Sequence, residues 1–231
     1  MLKIYPTLVI SGTVLEQMFR RGLYSPLDDR TASRIVSRAF AMAPRWLRIM
    51  RVQRDIPAHQ ILAGPRHGNL RELALELLAS EGVSSSEIRG REVGASMEPR
   101  DEGVELKRTS YAASSGQEVF LEVVRKSSDR LFAYLRLRRP SQRAHRPELR
   151  GGDCAIVREL KVLGRATPLG AIWEDSRQHR GYGSFLMAEA ERTAREDWGA
   201  SKLLVISALG TKEYYSKLGY LDDGPYMSKA L

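Results

Sequence analysis

The run Cys154-Ala155-Ile156-Val157-Arg158-Glu159-Leu160-Lys161-Val162-Leu163 and the turn Gln178-His179-Arg180-Gly181-Tyr182-Gly183 decide how the C-terminal half of this chain folds. The first reads as a strand. The second leads into an amphipathic helix carrying Phe185, Leu186, Ala190 and Ala194, predicted to end near Trp198. Glycines at 181 and 183 let the backbone approach a ligand with no Cβ in the way, and the N–H groups opening a helix point their dipoles at an anion. A pyrophosphate suits that geometry, and Arg177 or Arg180 can add a charge-assisted contact. A dinucleotide-binding turn has G-x-G-x-x-G opening a parallel βαβ unit, which the glycine spacing and the antiparallel lead-in both contradict. A P-loop requires Gly-Lys-Ser/Thr, which is absent.

Downstream, Lys202 to Ser207 reads as a strand, Thr211 to Leu218 as a short helix, and the segment from Tyr220 as a last extended piece. Upstream, Gly103 to Tyr111, Glu118 to Arg125 and Leu131 to Arg138 form an antiparallel meander in which Leu131, Ala133, Leu135 and Leu137 share one face. Pro140 to Gly152 is a basic loop. Before the Ser84 to Ser86 joint the pattern is strand, helix, strand, helix. Lys3 to Ile10 is followed by a helix capped at Asp28 or Asp29 and ended by Pro44. Trp46 to Gln53 is followed by a helix with Asn69 as N-cap and Gly82 as its stop.

The 231 residues suit one full domain plus a smaller appendage, and 42% hydrophobic content supports a packed core. With no long apolar run and no signal pattern, a cytoplasmic protein away from membranes is expected. A single cysteine, Cys154, leaves no thiolate cluster for iron–sulfur or zinc, and no metal site is predicted. The net charge of +9 is uneven: Arg125 to Arg150 holds nine Lys/Arg against Asp129 and Glu148, whereas 151–231 balances at eleven of each. Arg136, Arg138, Arg139, Arg143, Arg146 and Arg150 are therefore candidates to neutralise phosphates, with a solvated arginine-rich surface as the alternative.

Gln178 to Gly183 resembles the Q/R-x-x-G-x-G/A signature of the GNAT acetyltransferases, and the surrounding elements follow that fold in order. The resemblance implies acetyl-CoA as cofactor. It implies that Gln178, Arg180, Gly181, Tyr182 and Gly183 hold the pyrophosphate, and that a splayed strand at Glu159, Leu160, Lys161 and Val162 lends backbone groups to the pantetheine arm. It also implies that Tyr214, with Tyr215 beside it, stands near the CoA sulfur. A phenol, with an ordinary pKa of about 10, can protonate a departing thiolate. Tyr215 on its own merits reads as a core residue.

Longer blocks resemble the catalytic-subunit family of Elongator. They are Lys3 to Ile10, Arg51 to Pro57, His67 to Ala74, Arg91 to Gly94, Val157 to Leu160 and Tyr214 to Tyr220, and together they cover essentially the whole chain. That family modifies the tRNA wobble uridine at C5 with a radical S-adenosylmethionine domain followed by a GNAT-type domain. The implied architecture is α+β. A small strand–helix–strand–helix remnant of a radical SAM barrel with its linker (1–88) precedes a mixed, mostly antiparallel GNAT sheet flanked by helices (89–231). The cysteines of the family's cluster lie upstream of Met1, so S-adenosylmethionine and an iron–sulfur cluster are expected only in a full-length relative. Ser85, Glu87 and Gly90 stand where many relatives carry cysteines, so no zinc is expected at the joint.

The implied activity is acetyl transfer in wobble-uridine modification with tRNA-stimulated cleavage of acetyl-CoA, Tyr214 serving as acid and Glu159 or a water as base. Glu159 reads equally as the partner of Arg158 or Lys161. The alternatives are a protein lysine acetyltransferase and a tRNA-binding module without turnover. Expected partners are tRNA and either a second copy or Elongator-like subunits.

Overall fold

The computed structural model describes residues 1–93, 103–150, 153–164 and 181–231, arranged as two compact units, Met1–Arg91 and Glu92–Leu231. The first contains β1 (Leu2–Lys3), β2 (Val9–Ile10), α1 (Val14–Arg20), α2 (Asp29–Met42), β3 (Ile49–Arg51), β4 (Ile61–Ala63), α3 (Leu70–Ser80) and α4 (Ile88–Arg91). Its core lies between α2 and α3, where Val36 and Phe40 meet Leu70, Ala74 and Leu78. Asp28 is the N-cap of α2, its carboxylate accepting the Thr31 amide at 2.6 Å, whereas Asp29 accepts the Arg66 amide at 3.1 Å. Asn69 occupies the N-cap position of α3 but makes no capping side-chain bond. Gly82, at φ +71°, ends α3: its amide donates to Ala79 at 3.0 Å and that of Val83 to Leu78 at 3.2 Å.

The extended segment expected over Lys3 to Ile10 is divided around Pro6 into β1, parallel to β3, and β2, antiparallel to β4. The predicted Trp46–Gln53 strand contracts to β3, and α1, β4 and α4 are additions to the sequence reading. The joint carries a buried carboxylate. Glu87 accepts from Arg71 Nη2 at 2.7 Å and from the amides of Ile49 at 3.1 Å and Arg89 at 2.9 Å. The first unit therefore runs through α4, to 91 rather than 88, because the Ile88 amide donates to Leu47 at 2.9 Å and Arg91 Nη2 to Arg45 at 3.0 Å.

The second unit is a seven-stranded sheet of β5 (Val104–Ala113), β6 (Gly116–Arg125), β7 (Leu131–Arg139), β8 (Cys154–Val162), β9 (Lys202–Val205), β10 (Leu221–Asp223) and β11 (Tyr226–Ala230), in the order β10-β11-β9-β8-β7-β6-β5. All neighbours are antiparallel except β8 and β9. The β5–β6 hairpin turns at Ser114 and Ser115, both left-handed at φ 47° and 58°, the twist that suits a two-residue hairpin loop. Helix α5 (Tyr182–Arg192), prolonged by a π-helical turn Thr193–Asp197, lays Leu186, Met187, Ala190 and Ala194 on one sheet face. That face presents Val119, Leu121, Val123, Leu135, Leu137 and Val157 to it. The opposite face of the same strands carries Glu118, Glu122 and Arg136, all buried. A last short helix, α6 (Lys212–Lys217), follows β9. No helix among the described residues is long and apolar enough to cross a membrane.

Candidate functional site

The site grows from the one parallel pair in the sheet. Strand β8 pairs with β9 from Cys154↔Lys202 to Val157↔Val205, and there β9 ends. Strand β8 continues to Val162 while remaining bound to β7, up to Ala133↔Val162. From Arg158 to Val162, its β9-side edge therefore has no neighbouring strand among the described residues. The divergence coincides with a bulge: Arg136 opposes Glu159 and Leu137 opposes Val157, so Arg158 is the extra residue. An unpaired strand edge offers backbone N–H and C=O groups to an extended ligand arm.

Helix α5 begins beside that edge. Gly181 is its N-cap, no side chain caps it, and its first turn holds no acidic residue. The opening amides can therefore receive an anion without competition from a side chain of the helix itself. A Cβ added at Gly183 would lie 2.8 Å from the Tyr214 hydroxyl oxygen and 3.7 Å from Val162 Cγ2, so the end of β8, the start of α5 and α6 converge within contact distance. No atom of the described residues lies within 4 Å of the corresponding point on Gly181. The Tyr214 hydroxyl is buried and has no hydrogen-bond partner of normal geometry among the described residues. Burial pushes this phenol above its ordinary pKa, with the nearby Ser184 hydroxyl partly offsetting the effect. Tyr182 is likewise raised by burial and sits 5.9 Å from Phe132, ring to ring.

An acyl-CoA is a fitting occupant: a cradle that a single methyl would fill, a helix start without a side-chain cap among the described residues for the diphosphate, a strand end with no neighbouring strand among the described residues for the amide-containing arm, and a buried phenol at the far end. Gln178 and Arg180, expected to contact the same diphosphate, lie outside the described residues. Leu160 and Val162 pack on the α5 side of the sheet.

Several sequence expectations are corrected. Tyr215 is a core residue, 7% exposed, with its ring 5.0 Å from Tyr214 and 6.1 Å from Tyr220. Glu159 is not paired with Arg158 or Lys161. Its Oε1 accepts the Tyr134 hydroxyl at 2.7 Å and its Oε2 accepts Arg136 Nε at 2.9 Å. A carboxylate holding two donors must break an ion pair before it can take a proton, which removes the case for Glu159 as base. Of the arginines assigned to phosphates, Arg136 is buried in that pair, and Arg138 Nη1 donates to the buried Glu118 at 2.9 Å. Arg146 pairs with Glu148 at 3.1 Å, and Arg150 ties its loop through the carbonyls of Ala144 and His145, each at 3.1 Å. Arg139 and Arg143 have no acidic partner among the described residues and are the members of the group left to meet a polyanion.

A buried polar row was missed. Glu118 Oε1 accepts from Arg138 Nη1 at 2.9 Å and from Arg158 Nη1 at 2.5 Å, while Oε2 accepts the Tyr111 hydroxyl at 3.3 Å. The signal lay in β6, where Glu118 and Glu122 recur on one face of an otherwise apolar strand. An acid at a core register position calls for a partner on a neighbouring strand.

The sheet order, the single parallel pair with its splay and the uncapped α5 define the fold class: a GNAT-type acyltransferase fold in the second unit. Residues 1–79 match the Radical_SAM C-terminal domain. Along its entire length the chain is homologous to Elongator complex protein 3. It is 46% identical over 233 residues to that protein of Drosophila melanogaster and 45% to that of Homo sapiens, each alignment covering 100% of this chain and 42% of the relative. The Saccharomyces cerevisiae protein is 44% identical over 234 residues with the same coverage. The structure of archaeal Methanocaldococcus infernus Elp3 lacking residues 1–46 superposes with a TM-score of 0.89 at 41% identity, covering 99% of this chain and 55% of that one. The chain thus spans less than half the length of these curated relatives.

Proposed function

We propose that the second unit binds acetyl-CoA and that the chain acts as an acetyltransferase in C5 modification of the tRNA wobble uridine, cleaving acetyl-CoA when tRNA is bound. The convergence of Val162, Gly183 and Tyr214 carries this reading, because a helix start, a strand end with no neighbouring strand among the described residues and a buried phenol within contact distance of one another suit the diphosphate, the arm and the sulfur of one acyl-CoA. Bound acetyl-CoA supplies an activated thioester. The amides of Tyr182, Gly183 and Ser184 would hold the diphosphate and the edge of β8 would orient the arm; as water adds to the thioester carbonyl and the C–S bond breaks to release acetate, Tyr214, kept protonated by burial, would give its proton to the departing sulfur and regain one from the proton that the attacking water loses. Homology to Elongator complex protein 3 supports the Elongator context, and the family resemblance supplies tRNA as substrate. Arg139 and Arg143 are its contacts in this unit. The first unit, whose residues 1–79 match the Radical_SAM C-terminal domain, is the closing part of a radical SAM domain.

Calorimetric titration of CoA and acetyl-CoA with and without tRNA, followed by thiol release, tests the reading. CoA binding with tRNA-stimulated release supports it. Binding without stimulated release makes the chain a docking module, and release stimulated by lysine peptides but not tRNA makes it a protein acetyltransferase. Absence of CoA binding removes the cofactor assignment altogether.

A further inference from the structure

Arg158, the extra residue of the β8 bulge, is the first residue after the last β8–β9 pair, Val157↔Val205. The direction β8 takes from this point sets the width of the opening between β8 and β9. A bulge is a soft feature of a strand unless its side chains are held, and here both members are. Arg158 donates to Glu118 at 2.5 Å and Glu159 accepts from Arg136 at 2.9 Å. The two holds join into one network, because Tyr111 donates to Glu118 at 3.3 Å and accepts from Arg136 Nη1 at 3.5 Å. The anchors differ in rigidity. The Glu118 side chain is 1% exposed and sits on β6 with strands on both sides, while Arg158 is 48% exposed and reaches in from the cleft-forming strand.

Burying charge on this scale is not the cheapest way to stabilise a sheet. Apolar side chains of similar volume give comparable or better stability, and ion pairs of this kind are best attested where they fix one geometry among several. The row of alternating charge lies on the face opposite α5 and meets β8 at its bulge. We propose that Glu118 is a positioning residue for the cofactor: by holding Arg158 it locks the bulge and so fixes the opening of β8 from β9 that receives the pantetheine arm. This rests on the acetyl-CoA reading above.

The test uses the full chain with CoA as probe, and measures affinity by calorimetry together with thermal unfolding. Glu118→Gln keeps the volume and removes the charge, and Arg158→Met removes the other half of the hold from a half-exposed position, which leaves Glu118 bound to Arg138. Each is expected to weaken CoA affinity about tenfold, and the double variant no more than either alone. Arg138→Met removes a partner of Glu118 that does not belong to the bulge, so it should lower the unfolding temperature while leaving CoA affinity within about twofold. If Glu118→Gln fails to fold, Arg158→Met decides the matter on its own. Wild-type affinity in folded Arg158→Met overturns the proposal, as does an affinity loss in Arg138→Met equal to that of the other two. Failure of the wild-type chain to bind CoA overturns the cofactor reading instead, and is distinguishable from both.

Discussion

Gly183→Ala separates stability from function at the centre of the site. The added Cβ would stand 2.8 Å from the Tyr214 hydroxyl oxygen and 3.7 Å from Val162 Cγ2. Comfortable non-bonded contact is about 3.5 Å, so the phenol must retreat by roughly 0.5–1 Å. It is the far end of a side chain and can do so at little energetic cost. The backbone at Gly183 needs no left-handed conformation, and alanine is favoured over glycine within a helix by up to about 1 kcal/mol. Thermal unfolding should therefore stay unchanged or rise slightly. Function should not survive as well: a displacement of about 1 Å at a reacting group can cost about 100-fold, and the methyl also fills the space where the diphosphate approaches. We expect tRNA-stimulated thiol release to fall 10- to 100-fold, equivalent to about 1.4–2.7 kcal/mol of transition-state stabilisation. Gly68→Ala is the internal control, since Gly68 lies outside the site and no described atom lies within 4 Å of its Cβ position; it should stay within about threefold of wild type. A Gly183→Ala protein with normal turnover, or a loss of equal size at Gly68, would refute the idea that closeness between α5 and Tyr214 shapes the site.

Other perturbations follow from the same geometry. Glu87→Ala leaves Arg71, whose guanidinium burial already depresses, without its carboxylate, and should cost about 3 kcal/mol in denaturant unfolding. Glu159→Gln should lower the unfolding temperature, because the carboxylate pairs with Arg136, and a preserved pH dependence of thiol release in this variant would exclude Glu159 as the base. Burial pushes Tyr215 up to about 12, so the folded state holds a proton that the unfolded chain loses above pH of about 10. Stability is then full below pH 10 and falls as pH rises toward 12, by up to about 2–3 kcal/mol, and Tyr215→Phe should flatten that decline in pH-dependent denaturation. Replacing Arg139 and Arg143 with glutamine should reduce the slope of log affinity for tRNA against log salt by about 1.5, measured by filter binding or anisotropy.

The sheet of the second unit was legible because its strands are long and alternate cleanly. Strands β5 to β8 fall within two residues of the predicted spans, since a period-2 apolar face can be buried in only one register. The first unit was harder. Its strands have two or three residues each, too short for any period to emerge, and β4 and α1 carry no strong pattern of their own. In the site, Gly183, Val162 and Tyr214 were readable from motif and order, because a backbone requirement leaves glycine as its trace. The difference at the arginines has one physical cause: an arginine looks the same in sequence whether it faces solvent or a buried carboxylate. Arg136 and Arg138 read as phosphate contacts for that reason, although they occupy register positions opposite Phe120 and Glu118 on β6.

Tyr214 shows what the fold gives up to hold this site. A buried hydroxyl without a hydrogen-bond partner costs about 1–3 kcal/mol relative to one left in water, and at Tyr214 the nearby Ser184 hydroxyl, outside normal hydrogen-bond geometry, offsets only part of that. Phenylalanine has the same ring without the orphaned oxygen, and the ring contact with Tyr215 at 5.0 Å would remain. Tyr214→Phe is therefore expected to raise stability by about 1 kcal/mol, a few degrees in unfolding temperature, and to bind CoA as wild type does. Thiol release should be lost, because the ring keeps its place but has no proton to give. The two halves of the expectation fail separately. A fall in unfolding temperature would mean that the hydroxyl is satisfied in solution, whereas undiminished turnover would mean that another group protonates the sulfur. A protein that becomes more stable and inactive through the loss of one oxygen would mark that oxygen as held in place for chemistry, since packing alone gives no reason to keep it.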